Sequence, residues 1–547
     1  MADTVREQLL RYAESGRTAI RFEDIEISWR DYLRGAGKRA GVITGVLDGT
    51  RLDNAQPDSA RPRHVGTLLE NTPEMLYALA AGALGGYVTV GINATRRGDG
   101  LARDIRRSDC QVILTDSQLK PLLDGLDLGD VSVIDTDSDE WAALVEAASP
   151  PENPPTVEAG DPFMLIFTSG TSGAPKAVRV GNFTVTKSGE SLASTFELTA
   201  DDVLYLSMPL FHSNAIMSGF SPAIAVGATM VLARRFSASR FGDDIRRYGV
   251  TYMNYVGKPL AYILDTAPRP DDAETALRAA FGNEAAPKDI PAFAERFGCT
   301  VKDAYGSTEL AIIIVRTEHS PLESIGEPFP GVAVYDPVTG VECPRAIYDD
   351  DGAVANLDEC VGELVNTEGA GFFAGYYNDT GATDERMRDG MYWSGDLAYR
   401  DQDGFVYMAG RSSDWLRVDG ENLATGIVEE ILLRHPAASR VAVYGLPDPR
   451  GTGDQLAAAI VPRHDARIDP AGFEQFLAAQ ADLSPKAWPR WVRVADELPT
   501  TATNKILKRE LITQGVGGPG VDGTAPDTWW EREERGTAYS ELAATRA

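Results

Sequence analysis

Four stretches of this chain gather residue types that could do chemistry together. Residues 168–176 read TSGTSGAPK, set between FMLIF and AVRV. Gly170 and Gly173 free the backbone to turn its N–H groups on an anion. Thr168, Ser169, Thr171 and Ser172 add hydroxyl donors, and Lys176 adds a point charge. Such a loop can close over a polyphosphate; read alone, it is equally a polar turn joining two strands. It is not the helix-capped phosphate loop, whose glycine and lysine spacing it does not satisfy. Residues 303–310, DAYGSTEL, follow an apolar strand pattern and put a ring, two hydroxyls and an acid at one tip. There Tyr305 could stack on a base and Thr308 could donate to a phosphate oxygen. Glu309 could hold Mg2+, a cation that takes few carboxylates and keeps phosphate and water oxygens. The alternative is a strand-end turn with a solvated glutamate. Within residues 391–423, Asp396 sits in a tight SGD turn and Arg411 follows a glycine. An aspartate so placed can hydrogen-bond a pair of ribose hydroxyls. In LPTTATNKILKREL, residues 498–511, Lys505 precedes a helical pattern and on its own reads as a surface lysine.

In this order and spacing, the stretches resemble the motifs of the adenylate-forming superfamily: acyl-CoA synthetases, luciferases and peptide-synthetase adenylation domains. TSGTSGAPK resembles its phosphate loop. The run Asp303, Ala304, Tyr305, Gly306, Thr308 and Glu309 resembles its adenine and magnesium motif, and YWSGD its ribose aspartate. GRSSDWLRVDG resembles the hinge motif, and the segment around Lys505 the catalytic-lysine motif. The resemblance spans about residues 20 to 512. FSASRFGDDIRRYGVTYMNYVGKPLAYIL, FGNEAAP (which holds Ala285) and DWLRVDGENLAT are similar, more narrowly, to the fatty-acid-transport-protein branch of very-long-chain acyl-CoA synthetases.

This resemblance implies a ligase for long- or very-long-chain fatty acids that uses ATP, Mg2+ and coenzyme A. A carboxylate attacks the α-phosphorus of ATP, giving acyl-adenylate and pyrophosphate; the CoA thiol then attacks the activated carbonyl and expels AMP. Lys505, Glu309, Thr308 and His212 are implied at the reacting groups, with Glu309 as metal ligand. His212 would lie near the carboxylate end of an acyl pocket around SMPLFHSNAIMSGF, residues 207–220, unless it is simply a satisfied buried histidine. Arg411 is implied in nucleotide binding, and Arg417 and Gly420 beside the pantetheine arm. Asn504 stands where the family usually has glycine before the lysine, and Arg417 where the hinge motif usually has lysine. Two other readings share the motifs: a ligase for a steroid side-chain acid or another bulky lipophilic acid, and a lipid-binding or transport protein with weak catalysis. An acyl-AMP ligase that passes its product to a carrier protein is a lesser variant.

The elements that must position these residues follow from the rest of the chain. Its 547 residues exceed one ordinary domain. With 43% hydrophobic and 24% charged residues, the composition is that of a globular protein. A formal charge of -29 argues against a nucleic-acid surface and against bulk attraction to anionic lipid. Cys110, Cys299, Cys343 and Cys360 show no metal-ligand spacing and read as free thiols in a reducing compartment. The N-terminus has no apolar signal-peptide core, and MLYALAAGALGGYVTVGI reads as a buried helix entering a buried strand rather than a membrane span. The expected location is cytoplasmic and the expected partners are small molecules. Peripheral membrane contact and a homodimer stay open.

Alternating helix and strand patterns fill residues 20–260, and short strands with turns follow from about 325. The expected class is α/β: a large domain, 1–410, of α/β subdomains ending in a β-rich subdomain at about 325–410. A small α+β domain, 411–514, follows; the resemblance makes it mobile about a hinge at 411–414. Residues 515–547 read as linker and tail. There, GVGGPG is a linker rather than a dinucleotide loop, and WWEREER reads as a packing tail before a membrane contact.

Overall fold

A computed structural model describes residues 3–49, 62–168, 175–350, 352, 354–411, 415–418, 421–447, 454–480, 483, 485–501, 506–517, 527–532 and 536–542. The chain divides into two compact units: Met1–Ala311 with Ala370–Met387, and Ile312–Gly369 with Arg388–Ala547.

The first unit is built on two sheets. Helix Trp29–Leu47 begins where the Ser28 side chain accepts the Asp31 N–H at 3.1 Å, a standard N-cap. It buries Trp29, Tyr32, Leu33, Ala36, Ala40 and Ile43, one stripe at helical spacing. The stripe faces helix Pro73–Gly85, where Tyr32 donates to the Leu76 carbonyl at 2.7 Å. Pro73 opens that second helix and Gly86, at φ 70, ends it; strand Val88–Gly91 follows. The apolar run at 75–92 is therefore helix, turn and strand, as its glycine pair suggests. That strand belongs to a six-stranded sheet ordered Ser132–Asp135, Val112–Thr115, His64–Leu68, Val88–Gly91, Pro162–Thr168, Lys176–Gly181. All neighbours in it are parallel except the last pair.

In the other sheet, Thr300–Gly306, Ala279–Asn283, Tyr252–Val256, Val203–Leu206, Thr229–Leu232 and Thr18–Phe22 run parallel in that order. Parallel strands all end at one edge, and in such sheets ligands bind beyond the strands' carboxyl ends. Leu206, Val256, Asn283 and Gly306 are those ends here.

The second unit holds an antiparallel sheet in which Gly362–Asn366 pairs with Val332–Tyr335 and with Met391–Arg400. The latter pairs with Val406–Arg411. Beyond it lies a five-stranded sheet ordered Ala438–Pro447, Asp454–Pro462, Trp491–Val494, Thr528–Arg532, Tyr539–Glu541. Its last two strands come from the expected linker and tail. The tail packs, as WWEREER suggested: Trp530 joins the core of Val428, Leu432, Val443, Phe473 and Val492, and Trp529 joins another with Tyr444, Trp491 and Leu511.

All four cysteines are free and buried. Burial raises Cys343 to about 11 and the other three to about 12, so they stay as inert thiols. Among the described residues no helix is long and apolar enough to cross a membrane.

Candidate active site

The phosphate-loop candidate spans an antiparallel hairpin, not a strand-to-helix turn. Thr168 and Lys176 are the last pair of its two strands, and the Thr168 hydroxyl donates to the Lys176 carbonyl at 3.4 Å. Ser169, Gly170, Thr171, Ser172 and Gly173 lie outside the described residues. Lys176 is buried along its stem, with only 9% of the side chain exposed. Its ammonium stands 5.2 Å over the Tyr376 ring and 3.7 Å from Glu385 Oε2. A cation over an aromatic face is held by the ring's quadrupole.

Strand Thr300–Gly306 delivers the second motif. Asp303 is buried, and its Oδ2 accepts the Tyr255 hydroxyl at 2.9 Å and the Ala285 N–H at 3.2 Å. It therefore ties FGNEAAP to this strand. Gly282 is needed there, since a Cβ would come within 2.4 Å of the Tyr255 backbone oxygen. Asn283 Nδ2 donates to the Ala304 carbonyl at 2.6 Å. Tyr305 is half-buried, and Gly306 is exposed at the strand's tip. Beyond it, Thr308 Oγ1 lies 3.0 Å from Ser213 Oγ, and the buried Glu309 accepts the Tyr376 hydroxyl on Oε1 at 2.7 Å. Leu310, at φ 50, turns the chain sharply after the acid.

The stretch 207–220 leaves strand Val203–Leu206 at the same edge and winds into a π-helical turn, Ala215–Phe220, a form found often at functional sites. Asn71 holds it by accepting the Leu210 N–H at 3.0 Å and donating to the Met208 carbonyl at 2.8 Å. Asn214 Nδ2 donates to Asn283 Oδ1 at 3.1 Å and its Oδ1 accepts from Asn254 at 2.7 Å. These amides fix the loop to two neighbouring strands. His212 Nε2 and Ser207 Oγ are buried without a hydrogen-bond partner among the described residues. Burial lowers the His212 pKa to about 4, which keeps the imidazole neutral near pH 7.

The unfolded chain takes up this proton below about pH 6.5, whereas the folded one does so only near 4. Stability therefore falls as pH drops through that interval, and the loss is complete below it. His212 followed by NMR, with His212→Gln identifying its signal, should titrate near pH 4. A midpoint near 6.5 would show a solvated ring.

Asp396 lies in the second unit, in strand Met391–Arg400, paired in register with Arg411. Its N–H donates to Ser394 Oγ at 3.0 Å, and the Gly395 N–H donates to Glu363 Oε1 at 2.6 Å. Gly395 takes φ 75, and the pairing shifts register just after Leu397. The side chains of Arg411 and Arg417, and all of Gly420 and Lys505, lie outside the described residues. Described residues on either side of Lys505 are tied down. Thr500 bridges Ile506, the Leu507 N–H donates to the Pro499 carbonyl at 2.8 Å, and Lys508 reaches Glu429 at 2.9 Å and Thr425 at 3.0 Å.

Residues 9–377 match the AMP-binding enzyme family, and residues 427–505 match the AMP-binding enzyme C-terminal domain. The chain belongs to the AMP-binding enzyme family. Over 514 residues it is 47% identical to the medium/long-chain-fatty-acid–CoA ligase FadD17 of Mycobacterium marinum, covering 94% of this chain and 96% of that one. Over 516 residues it is 42% identical to steroid-22-oyl-CoA synthetase of Rhodococcus jostii, covering 93% and 91%. Among solved structures it resembles o-succinylbenzoate CoA synthetase of Bacillus subtilis in complex with its acyl-adenylate intermediate. The TM-score is 0.75 at 26% identity, with 92% and 97% of the two chains covered.

This AMP-binding enzyme is an acyl-CoA ligase that works through an adenylate, with ATP, Mg2+ and CoA as its cofactors. Its residues fit that set. Glu309 has one carboxylate oxygen engaged by the Tyr376 hydroxyl. A single carboxylate beside hydroxyl donors suits a cation that keeps phosphate and water oxygens. In the first unit the fold gathers Thr168, Lys176, Thr308 and Glu309 around residues that sequence reading passed over: Tyr376, Ser213, Asn214 and Asn283. For Asn214 a signal existed, because it stands beside His212 and Ser213. For Tyr376 none did.

Proposed function

We propose that this ligase activates a medium- or long-chain fatty acid, and that the residues named above act on ATP and the acid as follows. The loop at 168–176 and Lys176 take the β- and γ-phosphates, which leave as pyrophosphate. Thr308 donates to a phosphate oxygen, Tyr305 stacks on the base with Ala285, Asp303, Ala304 and Gly306 around it, and Asp396 takes the ribose hydroxyls with Arg411 beside it. Glu309 holds Mg2+, which offsets phosphate charge when bound. Lys505 supplies positive charge at the reacting α-phosphate, and Arg417 and Gly420 serve the pantetheine arm in the second step. His212, neutral and with its Nε2 unpartnered among the described residues, faces the incoming acid. The observation that carries this reading is the link from the loop lysine to the acid of the second motif, Lys176 to Tyr376 to Glu309.

The acid's chain length rests on the 47% identical fatty-acid relative. A steroid side-chain acid is the second reading, favoured by the 42% identical steroid-22-oyl relative. Each buried methylene contributes about 0.8 kcal/mol, so pocket depth separates acids strongly. CoA-dependent AMP release should be fastest with a straight-chain acid in a panel running from medium-chain to C26 and sterol acids. A sterol acid that outpaces every straight chain would exchange the two readings.

A further inference from the structure

We infer that Tyr376 is the positioning residue for the cation carboxylate: its hydroxyl holds Glu309 in the orientation that Mg2+ requires. The inference rests on the reading of Glu309 as the metal ligand. Tyr376 is 3% exposed and comes from a segment far along the chain from Glu309. That segment is pinned to the phosphate-loop hairpin. Tyr376 bridges Val178, the Arg179 N–H donates to the Gly375 carbonyl at 3.2 Å, and the Tyr377 N–H donates to the Ala177 carbonyl at 2.7 Å. The Tyr376 N–H donates in turn to Thr383 Oγ1 at 3.0 Å. Gly371, in the left-handed region at φ +57, lets the same segment press against Ala311, where a Cβ would lie 2.8 Å from the carbonyl oxygen. The Phe372 N–H donates to the Leu310 carbonyl at 3.3 Å, one residue past the acid.

With the backbone fixed at both ends, the ring has one place to be. Its face lies under the Lys176 ammonium and its hydroxyl donates to Glu309 Oε1 at 2.7 Å. The phenol supplies an O–H donor matched to a carboxylate acceptor. A carboxylate engaged on one oxygen keeps the other for a cation and cannot swing away. Partners of this kind are worth about 10–100-fold in metal affinity elsewhere.

The test is isothermal titration of the full chain with ATP and with MgATP, reading the gain in affinity that Mg2+ brings. In Tyr376→Phe, which keeps the ring under Lys176, that gain should fall by about 10-fold. The ATP titration without Mg2+ reports separately on whether the variant folds and still binds nucleotide. Glu309→Gln separates the two claims. If it loses the gain while Tyr376→Phe keeps it in full, the inference fails and the metal reading stands. If Glu309→Gln itself keeps the full gain, the metal reading fails and takes the inference with it.

Discussion

Lys505→Ala should lose acyl-adenylate formation by about 10²–10³, roughly 3–4 kcal/mol, while its ATP affinity changes little. The first half-reaction brings a carboxylate toward a polyphosphate, so charge builds at the α-phosphorus as the anions meet. A cation fixed in advance at that point acts on the transition state far more than on bound ATP. Described residues before and after this lysine are tied down. Thr500 bridges Ile506 on its two sides, and Lys508 is locked onto Glu429, which also accepts the Val443 N–H at 2.7 Å. Acid-dependent ATP–pyrophosphate exchange and ATP titration measure the two quantities separately. Lys505→Arg keeps the charge but not its compact shape, and should recover only part of the rate. Exchange at the wild-type rate in Lys505→Ala would remove this lysine from the chemistry.

The second large effect is structural. Trp530→Ala should destabilise the second unit by about 3–5 kcal/mol, the usual range for emptying a buried tryptophan site. Trp530 is 1% exposed, pairs in register with Val492 and has its ring 5.9 Å from that of Phe473. Its Nε1 has no hydrogen-bond partner among the described residues, so packing is what the site contributes. In a denaturant titration the transition of the second unit should move to lower concentration while that of the first holds its midpoint. An unmoved transition would show that the tail strand only decorates the sheet.

Both predictions bear on what the sequence could and could not disclose. The parallel α/β pattern and the apolar helix–strand run were legible because hydrophobic periodicity is local. The phosphate-loop hairpin was legible because glycines and hydroxyls crowd between two apolar strands. The two tail strands were harder. Trp529 and Trp530 sit side by side on a strand, where neighbours point to opposite faces, and each enters a different buried cluster. A strand buried on both faces shows no alternation, and the Gly/Pro-rich stretch before it reads as the end of the fold. Tyr376 escaped for another reason. Its weight comes from Glu309, Lys176 and Val178, all distant in sequence, and a tyrosine in a turn-rich stretch carries no local mark of a long-range hydrogen bond. The amide chain of Asn254, Asn214 and Asn283 is hidden in the same way: each is an ordinary polar residue until the strands come together.

The central claim is activation of an acid through an adenylate before CoA acts. The most direct measurement is ATP–pyrophosphate exchange by the full chain with Mg2+ and a long-chain fatty acid, in the absence of CoA. The account predicts exchange that requires the acid, and AMP as the nucleotide product once CoA is added. ADP and inorganic phosphate as products, or exchange that appears only with CoA, would contradict it.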